Sequence, residues 1–173
     1  MKKNKVAFLD RDGVINKANI NNGYIGRIKD FTLMSGAINA IKYLKKNNYK
    51  VIVVSNQSGI ARGYFKFRDV QKIHIHLQKK LKKKDTKIDA FYFCPYHVDG
   101  IIKKYKKKSN LRKPDNGMFK LAQKRFIIDV KNSFMVGDQI TDRLFANKSN
   151  LKYFMFKEKN LYNFLKKKLI KLS

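Results

Sequence analysis

Val6-Ala7-Phe8-Leu9-Asp10-Arg11-Asp12-Gly13, residues 6–13, decides how the rest of the chain is read. Four apolar residues in a row suit a short strand buried on both faces. Alternate residues of a strand point the same way, so a strand ending at Leu9 would turn Asp10 and Asp12 to one side at its carboxyl end. In open α/β sheets that edge is where ligands bind. Two neighbouring anions with no local lysine suit a hard cation and phosphate chemistry. Asp-x-Asp-Gly is equally good material for a surface turn, and the pair alone does not separate the two readings.

Similar apolar runs, rich in β-branched or aromatic residues, recur at Val51 to Val54, Ile88 to Phe93, Ser133 to Val136 and Tyr153 to Phe156, giving five strands. Amphipathic stretches lie between them: Ala37 to Lys46, Val70 to Leu81, Phe119 to Ile127, Ile140 to Asn147 and Leu161 to Leu172. Strands alternating with helices predict a doubly wound three-layer α/β/α sandwich on a mostly parallel sheet of about five strands. Three longer loops, at residues 13–31, 55–66 and 94–117, each follow a strand, so their polar residues carry more weight than others.

Length and composition bound the answer. A chain of 173 residues with two prolines and no repeat suits one domain over residues 1–173. One cysteine, Cys94, excludes an intrachain disulfide, and no run approaches the ~20 apolar residues of a membrane span, so a cytoplasmic protein is expected. The net charge of +29 invites a nucleic-acid partner. Of the 41 cations only 7 are arginine, and the lysines are spread along the chain, which fits solvated faces. The field still draws in anionic substrates.

Chemistry-bearing residues recur at successive strand ends. Ser55-Asn56-Gln57-Ser58-Gly59-Ile60-Ala61-Arg62-Gly63 offers hydroxyl, amide and backbone N–H groups that can cradle a phosphate oxygen. Arg112-Lys113-Pro114 brings two cations to a helix start. Val136-Gly137-Asp138 adds a third carboxylate and Asp142 a fourth, one helical turn on. Each motif alone reads as a cap, a turn or a solvated cation. Their joint occurrence in this order is hard to obtain by coincidence.

In these motifs the chain resembles the haloacid dehalogenase superfamily of phosphatases, with all four motifs in order. It is similar within it to the capless heptose-bisphosphate phosphatase and histidinol-phosphatase family. The resemblance implies a phosphatase for the 7-phosphate of D-glycero-D-manno-heptose 1,7-bisphosphate, in nucleotide-activated heptose synthesis for surface glycans. Asp10 is implied as nucleophile and Asp12 as general acid, then base. Mg²⁺ is implied on the Asp10 carboxylate, the Asp12 carbonyl and Asp138, with Asp142 orienting that shell. Ser55, Asn56, Gln57 and Lys113 are implied to bind the transferring phosphoryl group, and Arg62, Arg112, Asn22, Gly23 and Tyr24 the rest of the substrate.

Departures from the family pattern shape further expectations. A zinc loop in such relatives reads Cys-x-His and then Cys-x-Cys. This chain keeps Cys94, but Tyr96, Ser109 and Leu111 occupy the other three places and His97 is one out of register, so structural zinc is expected to be absent. Gln139 stands where a lysine is common, and the segment at residues 17–23 is longer than usual. His74 and His76, two apart on a helix, do not share a face, and packing or solvated roles are expected. Tyr92 and Phe93 are expected in the core. The expected partner is a small anionic phosphorylated sugar, with no specific nucleic acid and no membrane, and the protein is expected to be a monomer. Competing readings are a histidinol-phosphate phosphatase, a nucleic-acid 3′-phosphatase, whose usual Asp-Leu-Asp-Gly-Thr differs from Asp10-Arg11-Asp12-Gly13-Val14, and an inactive binding or scaffold protein.

Overall fold

The computed structural model of the protein describes residues 3–18 and 23–170. Five strands run β1 (Lys5–Leu9), β2 (Tyr49–Asn56), β3 (Ala90–Cys94), β4 (Phe134–Gly137) and β5 (Lys152–Met155). Helices α1 (Ala37–Lys46), α2 (Phe67–Lys82), α3 (Gly117–Arg125), α4 (Ile140–Lys148) and α5 (Leu161–Ile170) alternate with them. All strand pairs are parallel, in the order β3-β2-β1-β4-β5. This is the doubly wound sandwich expected. The 13–31 segment carries a 3-10 turn at Ile28–Asp30 and no inserted cap among the described residues.

Alternation along β1 builds two cores. Ala7 and Leu9 face a layer of α1, α2 and α5 through Ile41, Leu44, Ile73, Leu77, Phe164 and Leu165. Val6 and Phe8 face α3 and α4 through Met118, Phe119, Phe145 and Ala146. A strand buried on both faces has to be apolar at every position, which is why residues 6–9 read as an unbroken run. Phe8 sits 5.6 Å from the Phe119 ring and 6.3 Å from that of Phe145. Truncating such a residue to alanine costs about 3–5 kcal/mol.

Element ends differ from the sequence expectation where side chains intervene. The Gln78 amide takes both the N–H and the C=O of Ile88, so β3 begins only at Ala90. Asp69 accepts the Lys66 N–H at 2.8 Å and caps α2, which therefore starts at Phe67, before Val70. On the edge strand β3, Tyr92 and Phe93 are half-buried rather than core, with Phe93 against Phe67 and His74. His74 packs flat on Phe91 at 4.4 Å and burial pushes its pKa down to about 3, whereas His76 meets Phe31 edge-on. The expected last residues of α5, beyond Ile170, lie outside the described residues.

The sheet order places the chemistry. From β1 the chain winds outward through β2 and β3, then returns to the other side of β1 for β4, so winding reverses between β1 and β4. At such a switch point the loops beyond the strand ends part and leave a crevice. Leu9 is level with Val53 of β2 and Val136 of β4, so Asp10 opens into that crevice between Ser55 and Asp138.

Candidate active site

The Asp10 N–H still donates to the Val136 carbonyl at 2.9 Å, and the chain then turns at Arg11, whose carbonyl accepts from Ile15 and Asn16. The common side of Asp10 and Asp12 is therefore set by a turn and not by strand alternation. The pair has no lysine beside it in the sequence, but Asp12 has a local cation in Arg11. Arg11 is fully buried and folds back, its Nε and Nη2 donating to the Asp12 carboxylate at 2.9–3.1 Å. Arg11 Nη2 also donates to the Ile25 carbonyl and to Gln57 Oε1.

Lys113, 2% exposed, is the hub of the carboxylates. Its Nζ lies 3.0 Å from Asp10 Oδ1 and 2.6 Å from Asp142 Oδ1, and donates to the Val54 carbonyl at 2.9 Å. Burial opposes the lysine charge, yet Asp10 and Asp142 outweigh it and hold the ammonium above its usual range. Burial pushes Asp10 up to about 7, against the pull of Lys113, with Asp142, Asp12 and Asp138 adding to the rise. Asp10 Oδ1 takes both the Arg11 N–H, at 2.7 Å, and Lys113, so Oδ2 is the oxygen available for chemistry.

Asn56 and Gln57 are placed differently from the sequence expectation. The Asn56 amide clamps Lys113, donating to its carbonyl at 2.9 Å and accepting its N–H at 3.0 Å. Its side chain thus positions the lysine and is not free for a phosphate oxygen. Gln57 Nε2 bridges Asp12 Oδ2 and Ser55 Oγ, at 2.8 Å each. Ser55, buried, keeps its own hydroxyl proton to donate. Asn16 donates to Asp12 Oδ1 at 2.9 Å. Arg11 and Asn16 lie within the first motif, but the motif reading gave them no role in the site. The signal available was a pair of polar residues bracketing Val14-Ile15, which has meaning only once the turn is known.

One oxygen each from Asp10, Asp138 and Asp142 come within 4.8 Å of one another, the group of potential metal ligands found among the described residues. The donor set is all oxygen, which suits Mg²⁺. Asp138 Oδ1 is sealed from solvent without a hydrogen-bond partner, and burial raises its carboxyl pKa. Gly13 lies against it, with φ +90°, and a Cβ there would collide with the Asp138 carboxylate. An orphaned acid over a glycine floor fits a cation. Asp142 is spoken for by Lys113 and by the Gln139 N–H, 3.0 Å from its Oδ2, and Gln139 Nε2 donates to Asp138 Oδ2 at 3.1 Å.

Around this centre, Tyr24 meets the rings of Tyr64 and Phe65, and Gly23 is exposed with φ +69°. Asn22 lies outside the described residues. Arg62 and Arg112 come together beside His97. Cys94 is buried with its Sγ 3.8 Å from the Tyr96 carbonyl, and burial pushes its thiol up. Ser109 Oγ accepts the Leu111 N–H. Their loop is tied by Tyr96 against Tyr105, 6.0 Å apart, and by Lys107 over the Tyr96 ring. A cleft of about 880 Å³ flanks the site between Gly63, Tyr64, Phe67, Ile102 and Tyr105.

The chain is similar to known proteins over most of its length. Residues 5–159 match the family model described as polynucleotide kinase 3 phosphatase. The chain is 41% identical over 140 residues, 81% of it and 75% of the relative, to a D-glycero-alpha-D-manno-heptose-1,7-bisphosphate 7-phosphatase of Photorhabdus laumondii. It is 42% identical over 135 residues, 78% of it and 70% of the relative, to a D-glycero-beta-D-manno-heptose-1,7-bisphosphate 7-phosphatase from the same organism. A solved D,D-heptose 1.7-bisphosphate phosphatase from B. bronchiseptica, complexed with magnesium and phosphate, superimposes with a TM-score of 0.79 at 26% identity, covering 94% of this chain and 86% of that one.

Proposed function

This chain belongs to the haloacid dehalogenase phosphatases that the polynucleotide kinase 3 phosphatase model describes, alongside its heptose-bisphosphate phosphatase relatives, and on that premise we propose that it removes the 7-phosphate of D-glycero-D-manno-heptose 1,7-bisphosphate. The observation that carries the reading is the constellation itself. Asp10, buried with a free Oδ2, faces Asp138 on one side and Ser55 and Lys113 on the other, with Asp12 two residues along.

In this reading Asp10 Oδ2 attacks phosphorus, forming an Asp10–phosphoryl bond as the bond from phosphorus to the sugar C7 oxygen breaks. Asp12 delivers the proton that the leaving oxygen needs, then takes one from the water that attacks the phosphoryl-aspartate and frees phosphate. Arg11, Asn16 and Gln57 hold the Asp12 carboxylate in place between these transfers. Ser55 donates its hydroxyl to a transferring oxygen. All three Lys113 donors are engaged, so the lysine acts as a fixed point charge near the developing negative charge, or exchanges one contact for phosphate. Mg²⁺, held by Asp10, Asp138 and the Asp12 carbonyl, would neutralise the repulsion between the nucleophile and a phosphate dianion. Asp142 orients Lys113 and caps α4.

The setting is a step in making an activated heptose, acting on a soluble sugar phosphate in the cytoplasm. Among the described residues no helix is long and apolar enough to cross a membrane. The test is phosphate release with Mg²⁺ from α- and β-heptose 1,7-bisphosphate, histidinol phosphate and a 3′-phosphorylated oligonucleotide. Highest kcat/KM on a heptose bisphosphate, lost in Asp10→Asn, supports the reading. Preference for either of the other substrates overturns it.

A further inference from the structure

Tyr153 reaches from β5 to the loop that carries Asp138. Its register partner is Met135, two residues before the end of β4, and its ring packs on the same side of the sheet, against the core shared with α3 and α4. Two residues of parallel strand advance about 6.6 Å, a distance the long tyrosine side chain covers by leaning along its strand. Its hydroxyl stands 3.1 Å from the Gly137 carbonyl oxygen, 3.2 Å from the Gln139 carbonyl oxygen and 3.3 Å from Met155 Sδ. The two carbonyls flank Asp138 in the chain.

Asp138 sits at a joint between two kinds of backbone pairing. The β4–β5 ladder ends at Gly137, whose carbonyl also accepts the Phe156 N–H at 2.8 Å. The Gln139 carbonyl accepts the Asp142 N–H at 3.1 Å and opens α4. Asp138 alone separates the strand end from the helix cap. Its Oδ1 is sealed without a hydrogen-bond partner, and its Oδ2 accepts from the exposed Gln139 side chain at 3.1 Å. The carboxylate therefore stands where its backbone puts it. A hydroxyl has one proton, and here it is shared between the two carbonyls, so the phenol ties strand end to helix start across Asp138. Burial, then Asp142, Asp138 and Asp10, hold the phenol well above its usual range, so it stays a donor.

We propose that Tyr153 is a positioning residue for the Mg²⁺ centre: its hydroxyl fixes the Gly137 and Gln139 carbonyls and so holds the Asp138 carboxylate ready for the cation. The inference rests on the metal role given to Asp138 above. Tyr153 acts through the backbone and not on the cation or the sugar. A ligand already in place gives up less conformational freedom on binding, so the support is read as metal affinity. In the sequence Tyr153 is only the first apolar residue of a strand, and its reach to the next loop is visible only once β5 is paired with β4.

The test is Mn²⁺ binding to the substrate-free protein, followed by the electron paramagnetic resonance signal of the free ion, in wild type, Tyr153→Phe, Asp138→Asn and Phe154→Leu. Tyr153→Phe keeps the ring and removes the hydroxyl, and it should weaken Mn²⁺ by roughly tenfold, as loss of a partner behind a metal ligand does. Phe154→Leu trims the next β5 residue on the opposite face, where its ring lies 5.2 Å from that of Phe134, and should lower Tm while leaving Mn²⁺ affinity unchanged. Wild-type affinity in Tyr153→Phe, with Asp138→Asn weakened, overturns the proposal and leaves the metal assignment standing. Equal weakening in Phe154→Leu also overturns it, because general loosening of β5 would then account for the effect. Wild-type affinity in Asp138→Asn would sink the metal assignment itself, and the positioning role with it.

Discussion

Replacing Lys113 by methionine removes one charge from the most densely coupled part of the molecule while keeping most of the side-chain volume. Lys113 is 2% exposed and holds Asp10 at 3.0 Å and Asp142 at 2.6 Å. Removing one partner of a buried ion pair leaves uncompensated charge, typically about 3–5 kcal/mol, and the cavity contribution of a lysine-to-methionine change is small beside it. In a domain of this length that corresponds to a fall in Tm of roughly 6–20 °C. The pH dependence has a definite sign. Burial already raises Asp10 to about 7, and Lys113 is what opposes that rise, so the variant moves the carboxyl higher still. A carboxyl whose folded pKa exceeds its unfolded value of about 3.9 binds more protons folded than unfolded, so stability falls as pH rises. The deficit in Lys113→Met should therefore be larger at pH 8 than at pH 6. Thermal or urea unfolding in EDTA at the two pH values measures it, and added Mg²⁺ should recover part of the loss through binding to the folded state. A variant as stable as wild type at pH 8, or one hurt more at pH 6, would refute this account of the carboxylate cluster.

Gly13→Ala places a methyl against the Asp138 carboxylate at φ +90°, so it should raise the Mg²⁺ concentration for half-maximal turnover by about tenfold and cost about 1–3 kcal/mol in stability; an unaltered Mg²⁺ titration would argue against a cation there. Asn56→Ala releases both backbone clamps on Lys113 and should lower kcat by roughly 10- to 100-fold, with a stability loss of about 1–3 kcal/mol; wild-type kcat would show that the clamp does not position the lysine. His74, neutral in its stack on Phe91 with a folded pKa of about 3, adds stability that is full above its unfolded pKa near 6.5 and is lost as pH falls toward 3. His74→Phe should gain about 2 kcal/mol relative to wild type between pH 7 and pH 5, at about 1.4 kcal/mol per pH unit below 6.5. A pH-independent difference between the two proteins in urea melts would show the ring to be solvated.

How much of this was legible depends on the kind of interaction. Residues 6–9 announced a doubly covered strand because both faces of β1 need apolar side chains, and the same logic located β2 and β4. The start of β3 was misplaced because a side-chain amide, Gln78, captures the backbone of Ile88, and such capture has no periodic signature. In the site, Asp10, Ser55, Lys113 and Asp138 stood out by falling in order at strand ends, which topology then gathers around one crevice. The commitments of Arg11, Asn56 and Gln57 did not. Each of these side chains could equally have faced a ligand, and only the turn at Arg11 and the packing of the 55–66 loop decide that they hold Asp12, Lys113 and Ser55. His97, set aside in the sequence as one place out of register with a zinc ligand, is carried by its loop to Arg62.

The central claim is that Asp10 is phosphorylated during turnover of a sugar bisphosphate. Rapid acid quench of the wild-type protein with heptose 1,7-bisphosphate radiolabelled in the 7-phosphate, followed by peptide mapping, tests it directly. The account predicts transient, hydroxylamine-labile label on Asp10, absent in Asp10→Asn and longer-lived in Asp12→Asn, which lacks the base for the attacking water. Turnover at full rate with no label on Asp10 at any quench time would contradict it.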